Sequence, residues 1–339
     1  MDPAIVSRIL TASVVGIAFA ALGFGLAWLV QRHARGAAPG PAEPGLGVVL
    51  GERRGLADRL WVGPVVLGLV AVVTHQLVLR SDDGEMPSLV PGASFLTWWP
   101  TIALVAMGLG VSTALVDLNG WVRWPARLAL LAGVAFASAR GLVTNRWKLG
   151  AGDEQFADWG TIGGVLLGFA LLAWAMVAGL ERSARPVTSQ SSSVAYGRSA
   201  GWAGVLGGLV VTVATSQVLI IGYKVQSPAF VVTGLAAALG VALGLSLLKP
   251  RLTLAHGTMT TLGVLLSVTL LQATLYGQAK EQHAAMYVGL LLLGAWGPAL
   301  VDALNLPLRG WVLGLVRAGA TAPALAAVGA AVVISPPPV

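Results

Sequence analysis

Apolar runs of about twenty residues recur along the whole chain, and they constrain the fold more than any single motif. Ten can be drawn, at 9–30, 60–79, 98–118, 125–143, 159–180, 201–223, 229–248, 256–276, 284–304 and 311–334. Each is near the length an α-helix needs to cross a bilayer core. Lipid offers no hydrogen bonds to the backbone, so each run must satisfy its own peptide groups, and the helix does this. The runs are continuous rather than alternating, which argues against a membrane β-barrel. Only 10% of the 339 residues are charged and 56% are hydrophobic, whereas a soluble domain carries about a quarter charged residues. The expected fold is all-α: a polytopic integral membrane helical bundle of about ten transmembrane helices.

The first run has the look of a secretory signal, but it is too long, and Gln31-Arg32-His33-Ala34-Arg35 follows it. It reads as an uncleaved anchor with its N-terminus outside. Lys and Arg support that orientation. The connections that include Arg53, Arg54, Arg123, Arg182 and Arg198 hold about twice as many basic residues as the opposite set. The positive-inside rule makes the richer side cytoplasmic and both termini extracytoplasmic. The expected location is a bacterial-type cytoplasmic membrane. The net charge of +7 therefore serves orientation, and no nucleic-acid partner is expected. Residues 36–47, GAAPGPAEPGLG, and the serine-rich 183–200 read as solvated connections.

One passage occurs twice. Residues 114–127 are ALVDLNGWVRWPAR and residues 299–317 are ALVDALNLPLRGWVLGLVR. Both hold Ala-Leu-Val-Asp at the end of a run, then an Asn, then Gly-Trp-Val-x4-Arg. Weaker matches precede them in the same order: Ala20–Gly23 with Ala237–Gly240, and Val73-Thr74 and Gln76 with Val268-Thr269 and Gln272. Runs one to four thus read as repeated in seven to ten, in the same orientation, as in transporters built from parallel repeats. The implied division is 1–143 for the first four-span repeat, 144–228 for a two-span connector and 229–339 for the second repeat.

The repeated passages supply the first candidate site, Asp117 with Arg127 and Asp302 with Arg317. Each Arg enters the run after its Asp, so a tight hairpin returns it toward the preceding helix. Asn119 and Asn305 can cap the turns. The plain reading is two clamps fixing helix packing; the functional one is a pair of cytoplasmic gates or ion-handling sites. The first pair is expected to be the shallower and better hydrated. A second candidate is a polar ring toward the outside, formed by His75, Gln76, Arg140, Gln217 and Gln272, since polar side chains inside membranes tend to face a bundle interior or an aqueous cavity. Gly160, Gly164 and Gly168 form a small-residue stripe, with shorter ones at Gly204/Gly208, Gly240/Gly244 and Gly310/Gly314. Such stripes admit close helix contact, within the bundle, with a membrane-protein partner or in a homo-oligomer; lipids are the other expected partner. Gly297-Pro298 predicts a kink in the ninth run.

The chain has no cysteine, which removes thiolate metal sites, disulfides and cysteine nucleophiles. The four histidines match no metal signature, and no phosphate-binding loop or nucleophile elbow is present. No metal, cofactor or catalytic residue is assigned. Three functions fit: a small-solute permease or channel-like protein; a non-catalytic subunit or assembly factor of a membrane complex; and a membrane enzyme acting on a lipid-linked substrate, with His75 as base and Arg140 on phosphate. The first accounts best for duplication, kink and polar ring together.

Overall fold

Charged residues, prolines and glycines punctuate the apolar runs, and helices fill the runs between them. The computed structural model describes residues 3–36, 62–78, 98–115, 125, 127–129, 131–134, 159–184, 194–248, 257–304 and 311–335. Its helices are α1 (Pro3–Gly36), α2 (Val62–Val78), α3 (Trp99–Leu115), α4 (Trp159–Ala184), α5 (Val194–Ile221), α6 (Gln226–Leu248), α7 (Gly257–Tyr276), α8 (Glu281–Ala303), α9 (Trp311–Gly319) and α10 (Ala322–Ile334). Helical residues also occur within 125–134. No strand occurs among the described residues.

Seven helical stretches are long and apolar enough to cross a membrane: α1, α4 to α8, and α9 with α10 taken together as Val312–Ile334. These are the helices of an integral membrane protein. Two more, α2 and α3, are apolar but only 17 residues long. At 1.5 Å per residue each spans roughly 25 Å, a little short of a hydrocarbon core.

The centre of the bundle is α7, with Gly257–Ala273 buried throughout. It touches α2 to α6 on its sides and α8 at its margin. This enclosure explains its composition. Thr258, Thr260, Thr261, Ser267, Thr269 and Gln272 are all buried, and a helix shielded from lipid by protein tolerates polar side chains that find local acceptors. Ser267 Oγ donates to the Gly263 carbonyl at 2.7 Å and Thr269 Oγ1 to that of Leu266 at 2.7 Å. Around the post, α1 lies along α6 and α2, α6 along α5, and α10 along α8 and α5. Two crossings depend on glycine. A side chain on Gly257 would meet the Gly110 carbonyl of α3, and one on Gly16 of α1 would meet the Gly234 carbonyl of α6. Neither crossing leaves room for a Cβ, so backbones pack directly.

The last run departs from expectation. It is not one helix but α9 and α10, separated at Ala320-Thr321. Pro323 lies in the first turn of α10 and Thr321 N-caps it. Proline cannot donate to the carbonyl four residues back, and its ring clashes with the preceding turn. The Thr321 N–H bonds the Ala318 carbonyl at 3.1 Å, a tighter turn replacing the α-helical bond. Helix α8, by contrast, is a single helix that contains Pro298.

Candidate functional site

Helix α4 does not stop at residue 180, where hydropathy ends the run, but continues to Ala184. That extra turn carries Glu181, Arg182 and Ser183 into the bundle's margin, and two arginines from distant segments meet there. The Arg127 fork grips Glu181 with both ends, Nη1 to Oε2 at 3.0 Å and Nη2 to Oε1 at 2.7 Å. Their side chains are 4% and 3% exposed. Nη2 also donates to Thr113 Oγ1 of α3 at 3.0 Å, and the Thr260 hydroxyl of α7 donates to Glu181 Oε1. A buried ion pair repays its desolvation only when the remaining hydrogen-bond capacity is met as well. Here α3, α4, α7 and segment 125–134 each supply a partner.

The second arginine is Arg317, in α9. Its side chain is fully buried, with Nη2 3.1 Å from Asp302 Oδ2 of α8 and 2.8 Å from the Ser183 carbonyl. That carbonyl belongs to the last turn of α4, where helix carbonyls lack intrahelical donors, so the guanidinium caps the helix. Ser183 Oγ donates in turn to the Ala295 carbonyl of α8 at 2.7 Å. Asp302 is 26% exposed, so this pair is the more open of the two. The expected comparison with an Asp117–Arg127 pair turns on Asp117, which lies outside the described residues.

The structure brings Asp302 and Arg317 together. It gives Arg127 the carboxylate of Glu181, to which sequence reasoning assigned no role. The signal was present as a lone acid followed by Arg182 at the end of an apolar run, but ending the helix at residue 180 left Glu181 in a connection. Asp117, Asn119 and Asn305 lie outside the described residues.

Above this layer α7 carries Thr260, Ser267 and Thr274 at seven-residue intervals, hence on one face. Ser267 is at mid-length. Beside it lies a small recess, with room for about one water molecule, lined by Leu131, Val134, Phe169, Ala173, Ser267, Val268 and Leu271. Roughly 10 Å along the helix in one direction, Thr260 joins the closed Arg127–Glu181 network. A similar distance the other way, Thr274 is exposed, its hydroxyl 3.5 Å from Tyr223 Oη. Tyr223, in the turn between α5 and α6, donates to the Ala284 carbonyl at 3.2 Å. Burial pushes its phenol up to about 12, with the Thr274 hydrogen bond opposing and Tyr287 adding to the rise.

The expected outer ring forms only in part. Trp99 Nε1 donates to Gln272 Oε1 at 2.9 Å, and the His75 ring lies 6.3 Å from that of Trp99. Gln76 is buried nearby on α2. Gln217 is exposed on α5 and does not join them, and Arg140 lies outside the described residues. His75 is 1% exposed, which walls it off from a lipid-linked substrate. Among the described residues no three of His, Asp or Glu converge as metal ligands would. The glycine pairs divide: Gly204 packs against Ala184 and Gly208 touches Met259, whereas Gly164, Gly168, Gly240 and Gly244 have nothing within 4 Å of where a Cβ would stand. The side-chain positions of Gly160 and Gly310 lie outside the described residues. Compared with protein families and with curated proteins, the sequence matches no family model and no curated protein.

Proposed function

We propose that this membrane protein is a permease for a small, weakly polar solute. The observation that carries the reading is the mid-depth recess at Ser267, shut toward one end by Arg127, Glu181 and Thr260 and followed along the same α7 face to the exposed Thr274. Alternating access requires a site near the midplane with a closure on one side. The recess has room for about one water-sized group, which suits a solute of very few atoms. On this reading the two ion pairs are gates: their opening frees the end of α4 from segment 125–134 and from α9.

Finer features of the architecture belong to the same proposal: ten crossings, both termini outside, and a bacterial-type cytoplasmic membrane. The division at 143 and 228 marks stretches of one bundle, because α1 of the first stretch packs chiefly on α6 near the start of the last. The parallel duplication is proposed for the sequence and its two hairpin passages. The matched helices keep different company, with α2 lying along α3 while their counterparts α7 and α8 meet only at a margin.

The absence of cysteine makes a direct experiment available. Ser267→Cys and Thr260→Cys each introduce a unique thiol, to be probed in vesicles with a small water-soluble thiol reagent. Ser267→Cys should react well above the rate of the lipid-facing control Leu293→Cys, and Thr260→Cys should react once Glu181→Gln loosens the closure. If neither position exceeds the control in either background, no aqueous path reaches the recess and the permease reading is lost.

A second reading, a subunit of a membrane complex or a homo-oligomer, is favoured by one observation. Gly164, Leu167, Gly168 and Leu171 form an exposed stripe on α4, of the small-residue kind that admits a partner helix. Gly168→Leu should then dissociate a complex purified in mild detergent; an unchanged mass by light scattering speaks against it.

A further inference from the structure

Arg182 is the residue of the α4 terminus that neither ion pair uses. Glu181 on one side of it is held by Arg127, and Ser183 on the other receives Arg317. Arg182, between them, is exposed. Eighteen residues make five turns, so it shares the face of Gly164, and it lies about 20° from Leu171, itself 49% exposed. That face is the lipid-facing stripe of α4. The guanidinium does not wander there. Its carbon sits 4.8 Å from the centroid of the Trp296 ring on α8, within cation–π range. Trp296 is itself fixed, with Nε1 donating to the Ala175 carbonyl at 2.9 Å and its ring edge seated on Gly179, where a side chain would collide with it. Flanking it on α8, Leu293 and Leu300 are 53% and 52% exposed, so the pair lies in an open furrow between two lipid-facing helices.

The depth matters as well. Because Ser183 Oγ bonds the Ala295 carbonyl, Arg182 is level with Trp296, seven residues and roughly 10 Å before the end of α8. A cation on a lipid-facing surface within a span calls for a counter-charge. The nearby carboxylates of Glu181 and Asp302 are taken by Arg127 and Arg317. Among the described residues Arg182 has no ion-pair partner.

We propose that Arg182, held over Trp296 in the furrow between α4 and α8, is a binding site for the phosphate of an anionic phospholipid. The lipid phosphate accepts from the exposed guanidinium N–H groups, and its acyl chains run along Leu171 and Leu293. This site is independent of the permease reading. On the orientation proposed above it faces the cytoplasmic leaflet, where juxtamembrane basic residues meet anionic lipid.

The test uses the full chain in nanodiscs of mixed phosphatidylglycerol and phosphatidylcholine, with retained lipids counted by native mass spectrometry. Wild-type protein should hold phosphatidylglycerol roughly tenfold more tightly than phosphatidylcholine, the value of one charge-assisted bidentate contact. Arg182→Gln should abolish that preference, Arg182→Lys should keep part of it without the fork, and Trp296→Leu should weaken it by freeing the side chain. An Arg182→Gln protein with the wild-type preference overturns the proposal. So does displacement of the lipid by millimolar inorganic phosphate, which would mark a site for the free ion. If Arg182→Gln fails to fold, Trp296→Leu carries the test, and an unchanged preference there overturns it equally.

Discussion

Glu181 is the residue on which the molecule's charge arrangement turns. It accepts three hydrogen bonds from Arg127 and Thr260 while almost wholly enclosed. Removing one member of a buried pair strands the other without solvent or counter-charge. Glu181→Ala should therefore cost about 3–5 kcal/mol, measured as a fall in folded yield and in detergent melting temperature. Glu181→Leu combined with Arg127→Leu should recover most of the loss, because no stranded charge remains. Asp302→Ala should cost less, since its carboxylate is partly exposed and Arg317 keeps the Ser183 carbonyl. If Asp302→Ala proves the more damaging, the ranking of the two clamps is wrong. Tyr223 offers a pH handle outside the membrane spans. Its phenol ionises at about 12 in the folded protein against 10.0 unfolded. Between those values the unfolded chain loses a proton that the folded chain keeps, so stability present below pH 10 declines as pH rises toward 12. Two pH units correspond to at most roughly 3 kcal/mol. Tyr223→Phe should flatten that decline in an alkaline denaturation series; an unchanged slope would assign it to other groups.

Among the elements, α7 shows what hydropathy can and cannot reveal. Two glycines on the helices beside it make a sharp contrast. A side chain on Gly110 meets Thr261, the Gly257 carbonyl and Pro64, whereas one on Gly240 meets nothing. Gly110→Ala should force α3 from α7 and lower folded yield severely. Gly240→Ala should be neutral or stabilising by about 1 kcal/mol through helix propensity. Equal effects in a melting assay would argue against the α3–α7 crossing. The runs themselves were legible because lipid demands uninterrupted apolar helices, and the Asp302–Arg317 approach was legible because a short hairpin limits where the arginine can go. The Arg127–Glu181 pair was not, since it joins segments 54 residues apart and depends on one helical turn past the apolar run. The break at Thr321 had a local sign, Pro323, but the surrounding alanines kept hydropathy high and masked it. Gln217 was grouped with the outer ring by depth alone; depth along a helix says nothing about its face.

At the scale of the whole molecule, orientation decides which solution each of these features meets. Basic residues crowd the connections on one side by about two to one, and translocation of such segments is disfavoured. That side also receives the α4 terminus, so Glu181, Arg182 and Asp302 should lie toward the cytoplasm and Tyr223 and Thr274 toward the exterior. Ten crossings would return the C-terminus to the side of the N-terminus. A fluorescent protein that matures only in the cytoplasm, fused after Val339, should stay dark, while alkaline phosphatase fused there should be active. A second pair of fusions at Gln190, between α4 and α5, should give the opposite result. Fluorescence at both positions would mean an even number of crossings between them, leaving the α4 end cytoplasmic but removing a span from the later half. Fluorescence at Val339 with activity at Gln190 would invert the molecule. The Arg182 furrow would then face the outer leaflet, and the closure at Arg127 would guard the exterior instead of the cytoplasm.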